Sequence, residues 1–207
     1  MNVVNQVHWL GHASFRIEDQ GKNIYIDPWK LKPGHPKADL ILITHSHYDH
    51  LSGEDVASLL TPKTVIAATP DCQKGLHKTF TPVEPGQTHS LASWKVQTVP
   101  AYNLDKDFHP KKNRWVGYIV TLLTGERIFH AGDTDLTPDL ITVKADVALL
   151  PCGGTYTMTA DEAADAANTM KPKVVVPMHW GDIVGSIADA EQVKKRFEGE
   201  VVIMTPE

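Results

Sequence analysis

Short apolar runs separated by polar turns recur along the whole chain, and their spacing fits strands more often than helices. Strands are predicted over residues 14–17, 24–26, 40–44, 64–67, 95–99, 116–122, 127–130, 147–150, 174–176 and 201–204. Helical spacing is confined to residues 53–60, 160–170 and 188–197. The second of these starts behind Thr159, with Glu162 three positions on, which is the pattern of a capping box.

The pattern also repeats on a larger scale. FRIEDQGKNIYID is followed by KADLILITH, and YIVTLLTGERIFHAGD by KADVALLPC. In each, a glycine and two polar residues precede isoleucine and an aromatic, an aspartate soon follows, and Lys-Ala-Asp opens an apolar run. Shared order of this kind predicts a duplicated β-rich half. The expected fold is α/β: two sheets face to face, helices outside, and a site at the seam where loops of both halves meet. A length of 207 residues fits one domain spanning residues 1–207.

Composition narrows the partners. With 20 Lys and Arg against 25 Asp and Glu, the chain has no basic footprint, so no nucleic-acid partner is expected. The opening residues lack a basic, apolar secretory leader and no segment is long enough to span a bilayer, so a cytoplasmic location is expected. Cys72 and Cys152 make no disulfide framework or CxxC pair and are expected to be free thiols.

Candidate chemistry concentrates in THSHYDH, immediately after the apolar run at 40–43. His45, His47, Asp49 and His50 stand in the order H-x-H-x-D-H. Imidazole and carboxylate suit zinc, manganese or iron, and several must converge because each alone binds too weakly. A strand would put His50 on the opposite face from the other three, so the segment is expected to be an irregular loop held by the helix behind it.

On these residues the sequence resembles the metallo-β-lactamase superfamily of metal-dependent hydrolases, and the likeness covers nearly the whole chain. It implies a four-layer αββα sandwich. It further implies that Asp27, in IYIDPW, supports the metal loop, that Asp133, in FHAGDTD, bridges two metals, and that His179, in VVVPMHW, is the last histidine ligand. By the same resemblance His45, His47 and Asp133 hold one metal and Asp49, His50, Asp133 and His179 the other. One departure stands out: where the superfamily supplies a further histidine, TVPAYN presents Asn103, a poor zinc ligand. His109 is the first candidate to substitute, with His12 and His130 behind it. The opening WLGHASFRI resembles the branch that holds L-ascorbate-6-phosphate lactonase and the N-acyl-phosphatidylethanolamine phospholipase D group.

The resemblance implies two divalent ions, zinc before manganese or iron, roughly 3.5 to 4 Å apart and sharing an activated water. The expected reaction is hydrolysis of an ester, lactone or phosphodiester in a small-molecule substrate, with Asp49 orienting the hydroxide. Lys111, Lys112 and Arg114 near the expected mouth favour an anionic substrate. Tyr156, in the glycine-rich CGGTYTM, is expected on the substrate side. The alternative is a mononuclear or non-catalytic metal-binding member, weakened at Asn103. A redox di-iron role ranks lower, because such members carry glutamate where this chain has His47.

Overall fold

The run Leu40-Ile41-Leu42-Ile43 shows how the apolar pattern becomes architecture. All four side chains are fully buried. Leu40 and Leu42 join Ile24, Ile26 and the second sheet in one core, whereas Ile41 and Ile43 pack with Tyr25, Val56, Leu59 and Leu76 on the other face. A strand covered on both faces reads as an unbroken apolar stretch, not an alternation.

The computed structural model describes residues 3–207. One sheet holds, in spatial order, β1 (Val7–Gly11), β2 (Ser14–Asp19), β3 (Lys22–Ile26), β4 (Leu40–Ile43), β5 (Val65–Ala68) and β6 (Thr81–Pro82). The other runs from β7 (Thr88–Leu91) through β8 (Trp94–Pro100), β9 (Val116–Thr121), β10 (Arg127–His130), β11 (Val147–Pro151) and β12 (Val174–Met178) to β13 (Glu200–Val201). Helices α1 (Gly53–Leu59) and α2 (Gln73–Leu76) cover the first sheet, while α3 (Ala160–Met170) and α4 (Ile187–Arg196) cover the second. The result is the expected four-layer sandwich with the main core between the sheets.

The repeat in the sequence is a repeat in topology. β2 and β3 pair antiparallel, and β3 to β6 then run parallel. β9 and β10 likewise pair antiparallel before β10 to β13 run parallel. The two Lys-Ala-Asp triplets have a physical reason: Asp39 exchanges hydrogen bonds with Asn23, accepting from its backbone N–H and donating its own, and Asp146 does the same with Arg127. Each aspartate thereby fixes the register of the incoming parallel strand.

Both longer outer helices are capped as their sequences require. Thr159 and Glu162 form the expected box at α3, and Ser186 with Asp189 forms a second one at α4. The expected strand at 201–204 is shorter in the structure. Beyond β13 the chain leaves the sheet edge and crosses to the first sheet, where the Glu207 N–H donates to the Trp9 carbonyl. The short or polar edge strands β1, β6 and β7 escaped the apolar pattern, as edge strands tend to. Cys72 and Cys152 are buried free thiols. No helix among the described residues is long and apolar enough to cross a membrane.

This topology brings the ends of β3, β4, β10, β11 and β12 to one rim. Asp27, the THSHYDH loop, Asp133, the CGGTYTM loop and His179 follow those strands in turn.

Candidate metal centre

Three groups of side chains converge at this rim with their ligating atoms within 4.8 Å of one another: His45, His47 and His109; His45, His50 and Asp133; and His12, Asp49, His50 and His179. Asp133 lies at the middle. Its Oδ2 is 3.3 Å from His50 Nε2, 3.2 Å from His109 Nε2 and 3.0 Å from His179 Nε2.

The surroundings determine which imidazole nitrogen carries the proton. Thr44 Oγ1 donates its only proton to Asp27 Oδ2, so it must accept from His45 Nδ1 at 2.9 Å. His50 Nδ1 donates to Asp27 Oδ2 at 2.8 Å. His109 Nδ1 donates to Asn103 Oδ1 at 3.0 Å, and the orientation of that amide is set because Asn103 Nδ2 faces two acceptors, Asp135 Oδ1 and the Tyr156 carbonyl. All three histidines therefore spend Nδ1 on these acceptors and turn Nε2 toward the centre. On the other side His12 Nε2 donates to Asp49 Oδ2 at 3.1 Å.

These inward atoms lack partners. Nε2 of His45, His50, His109 and His179, together with Asp133 Oδ1, are buried without a hydrogen bond. An unsatisfied buried polar atom costs about 1–3 kcal/mol, so a cluster of such atoms is costly as it stands. A divalent cation is what this donor set fits, because it would satisfy several of them at once.

The electrostatics agree. Burial holds the pKa of His45 well below its ordinary value and lowers that of His47, favouring the neutral, ligating imidazole. Burial works in the same direction on His50 but is outweighed by Asp133 and Asp27, which push its pKa well up. At Asp133 burial, which raises a carboxyl pKa, is overcome by His179 and His50, and the carboxyl is held well down. Asp49 also resists burial, chiefly through its bond to His12, and is brought down to about 2. Positive charge is thus favoured where His50 and Asp133 meet, and a cation would displace the proton held there.

The backbone is held under strain at the same place. His12, Asp27 and His179 have φ of 51°, 48° and 58°, left-handed values that side chains with a Cβ adopt at a cost. The His12 carbonyl accepts from both the Trp9 indole N–H and the His179 backbone N–H, which ties the two halves together. Gly153 packs so tightly that an added Cβ would sit 2.2 Å from the His179 carbonyl. Gly153→Ala is expected to displace His179 and to lower metal affinity by about tenfold or more, as read by competition with a chelating dye. An unchanged affinity would show that the loop yields without cost.

Asn103 itself stays outside the ligand cluster, and His109 reaches His45 and His47 instead. His130, the weaker substitute, is committed elsewhere: its Nε2 donates to the Ala13 carbonyl and its Nδ1 accepts from the Gly132 N–H. The basic cluster does not serve the site as expected. Lys111 donates to Tyr102 Oη and lies 3.6 Å from Asp139, Arg114 pairs with Glu84, and neither they nor Lys112 line the cavity. That cavity, of about 220 Å³, opens over the cluster and includes Tyr156 in its wall.

Four contributors carried no signal in the sequence. Thr44 and Asp135 orient His45 and Asn103, as described. The Trp115 ring lies against those of His45, His47 and His109 at 4.6, 4.7 and 5.5 Å, and its indole N–H donates to Asp71, which also accepts from Ser46 Oγ. None belongs to a spacing pattern. The partners of Asp135 and Trp115 lie far off in the chain.

The two-sheet sandwich with its histidine and aspartate rim defines a metal-dependent hydrolase of the β-lactamase superfamily. Residues 6–179 match the beta-lactamase superfamily domain family. The chain is 37% identical over 220 residues to a UPF0173 metal-dependent hydrolase of Thermococcus kodakarensis, covering 97% of this chain and 96% of the relative. A crystal structure of a Parabacteroides distasonis protein described as a metal-dependent hydrolase superposes with a TM-score of 0.87 at 34% identity, over 97% of this chain and 93% of that one. The metallo hydrolase Igni18 of Ignicoccus hospitalis gives 0.78 at 27% identity, over 97% and 94%. The chain belongs to the UPF0173 metal-dependent hydrolases within that superfamily.

Proposed function

We propose that the protein hydrolyses an ester, lactone or phosphodiester in a small molecule with two divalent ions, zinc before manganese or iron. The observation that carries this is the set of inward, unpartnered Nε2 atoms around Asp133. His45, His47 and His109 would hold one ion, Asp49, His50 and His179 the other, and Asp133 both. When bound, such ions supply a water of lowered pKa and a Lewis acid for the scissile oxygen.

The chain's own residues arrange the rest. Asp27 and Thr44 hold His50 and His45 by their Nδ1 atoms, and Asn103 holds His109. Asp49 keeps one oxygen on His12 and is ionised at neutral pH, so its carboxylate can orient a nucleophilic water. Tyr156 stands on the substrate side of the cavity.

The test is metal content by plasma mass spectrometry on untagged protein, beside hydrolysis of aryl esters, lactones and aryl phosphodiesters. About two ions per chain with turnover of one class is the expected result; metal-free protein, or loaded protein inert to all three, would sink the reading. Asn103→Ala is expected to weaken metal binding by about 10- to 100-fold, because His109 loses its orienting acceptor. Equal affinity in wild type and variant would show that His109 needs no support.

A further inference from the structure

We infer that the site takes a substrate, a carboxylic ester or lactone, whose flank next to the scissile bond is apolar and uncharged; this narrows the hydrolase reading above and rests on its metal ions. The cavity over the centre is lined by His47, Asp49, His109, Asp133 and His179 at its floor, and its remaining walls are Tyr48, Phe108, Tyr156 and Ile183. Beyond the candidate ligands, no charged side chain among the described residues lines it. A charged group on the substrate's flank, held away from the ions, would find no lysine or arginine there to replace its hydration.

Four cations of the neighbouring loops are paired with acidic side chains. Lys106 donates to the buried Asp135 at 2.6 Å, Lys30 meets Asp182 at 2.9 Å, and Arg114 forms a two-pronged pair with Glu84. Lys111 is held by Tyr102 and Asp139.

The apolar walls, in contrast, stand open. Tyr48 is 69% exposed and Phe108 47%, both unusually high for rings that border a cavity. They come from different loops, Tyr48 from within the THSHYDH segment and Phe108 from the residue before His109, so each is fixed beside a candidate ligand. Phe108 meets Tyr156 edge to face at 4.7 Å, and Tyr48 meets Trp29 edge to face at 6.1 Å. Asn103 joins this wall to the metal cluster: its Oδ1 accepts from the His109 N–H and ring, and its Nδ2 donates to the Tyr156 carbonyl. A preformed apolar wall beside a polar floor favours a ligand with a polar reacting end and an apolar flank.

Hydroxamates test this without turnover, because the hydroxamate head binds the ions and the tail reports on the wall. On zinc-loaded protein, calorimetry is expected to give octanohydroxamate an affinity at least about fiftyfold above that of acetohydroxamate, since each buried methylene adds up to about fourfold. Suberic acid monohydroxamate, equally long but ending in a carboxylate, is expected to bind more weakly than octanohydroxamate. Phe108→Ala and, separately, Tyr48→Ser should each narrow the ratio of the octano to the aceto affinity by about fivefold or more. Equal affinities for the two chain lengths, or tighter binding of the carboxylate-ended tail, would overturn the inference and leave the metal reading standing. Failure of both hydroxamates to bind would overturn the metal reading and this inference together.

Discussion

Asp133→Ala is expected to lower hydrolysis by about a thousandfold or more and to reduce the metal content of the purified protein at the same time. The reason is position. Asp133 is 3% exposed, and one of its oxygens lies within 3.3 Å of the Nε2 atoms of three histidines drawn from three separate segments. With that carboxylate gone, His50 and His179 face each other with less to attract a cation, and the two groups of ligands lose their common member. Metal content by mass spectrometry and rate on the best substrate should fall together. A variant that keeps its metal and loses activity would assign Asp133 to the reaction instead of to binding; one that keeps both would remove it from the site.

The second large effect concerns folding. Asp27 is fully buried and its carboxylate accepts three hydrogen bonds, from the Thr44 N–H at 2.7 Å, from Thr44 Oγ1 at 2.6 Å and from His50 Nδ1 at 2.8 Å. Asp27→Ala leaves those donors buried without an acceptor, which costs about 3–5 kcal/mol. Alanine at a φ of 48° adds strain that aspartate and asparagine tolerate better. In metal-free protein, where lost ligation cannot contribute, the melting temperature is expected to fall by roughly 10 °C or more. Asp27→Asn, similar in shape and in tolerance of that backbone, isolates the carboxylate: it should lie between wild type and alanine. Identical melting of all three proteins would show that the network contributes no net stability.

Much of this is legible in the sequence. Strands buried on both faces, such as β4, announce themselves as unbroken apolar runs, and the capping box at Thr159 is a local arrangement that needs no distant partner. The two Lys-Ala-Asp triplets marked the duplicated topology because each serves the same local pairing, with Asn23 in one half and Arg127 in the other. The edge strands were harder to read, since β7 shows its face to solvent and β6 contains a proline. THSHYDH stood out because four candidate ligands fall within six residues of the chain, and the loop after β4 is what sterics require for them to converge.

Sequence by itself therefore determined the sandwich, and it singled out THSHYDH, Asp133 and His179, which the structure brings to one rim. Only the tertiary structure decided that His109 and not Asn103 joins His45 and His47, that Asn103 instead orients it, that Trp115 backs the three rings, and that the basic loop residues spend their charge on Glu84 and Asp139. The physical reason is the same in each case. Local structure follows from neighbours along the chain, whereas which histidine reaches His45 and His47, and which acid a basic loop residue meets, depend on segments that come together only when the chain has folded.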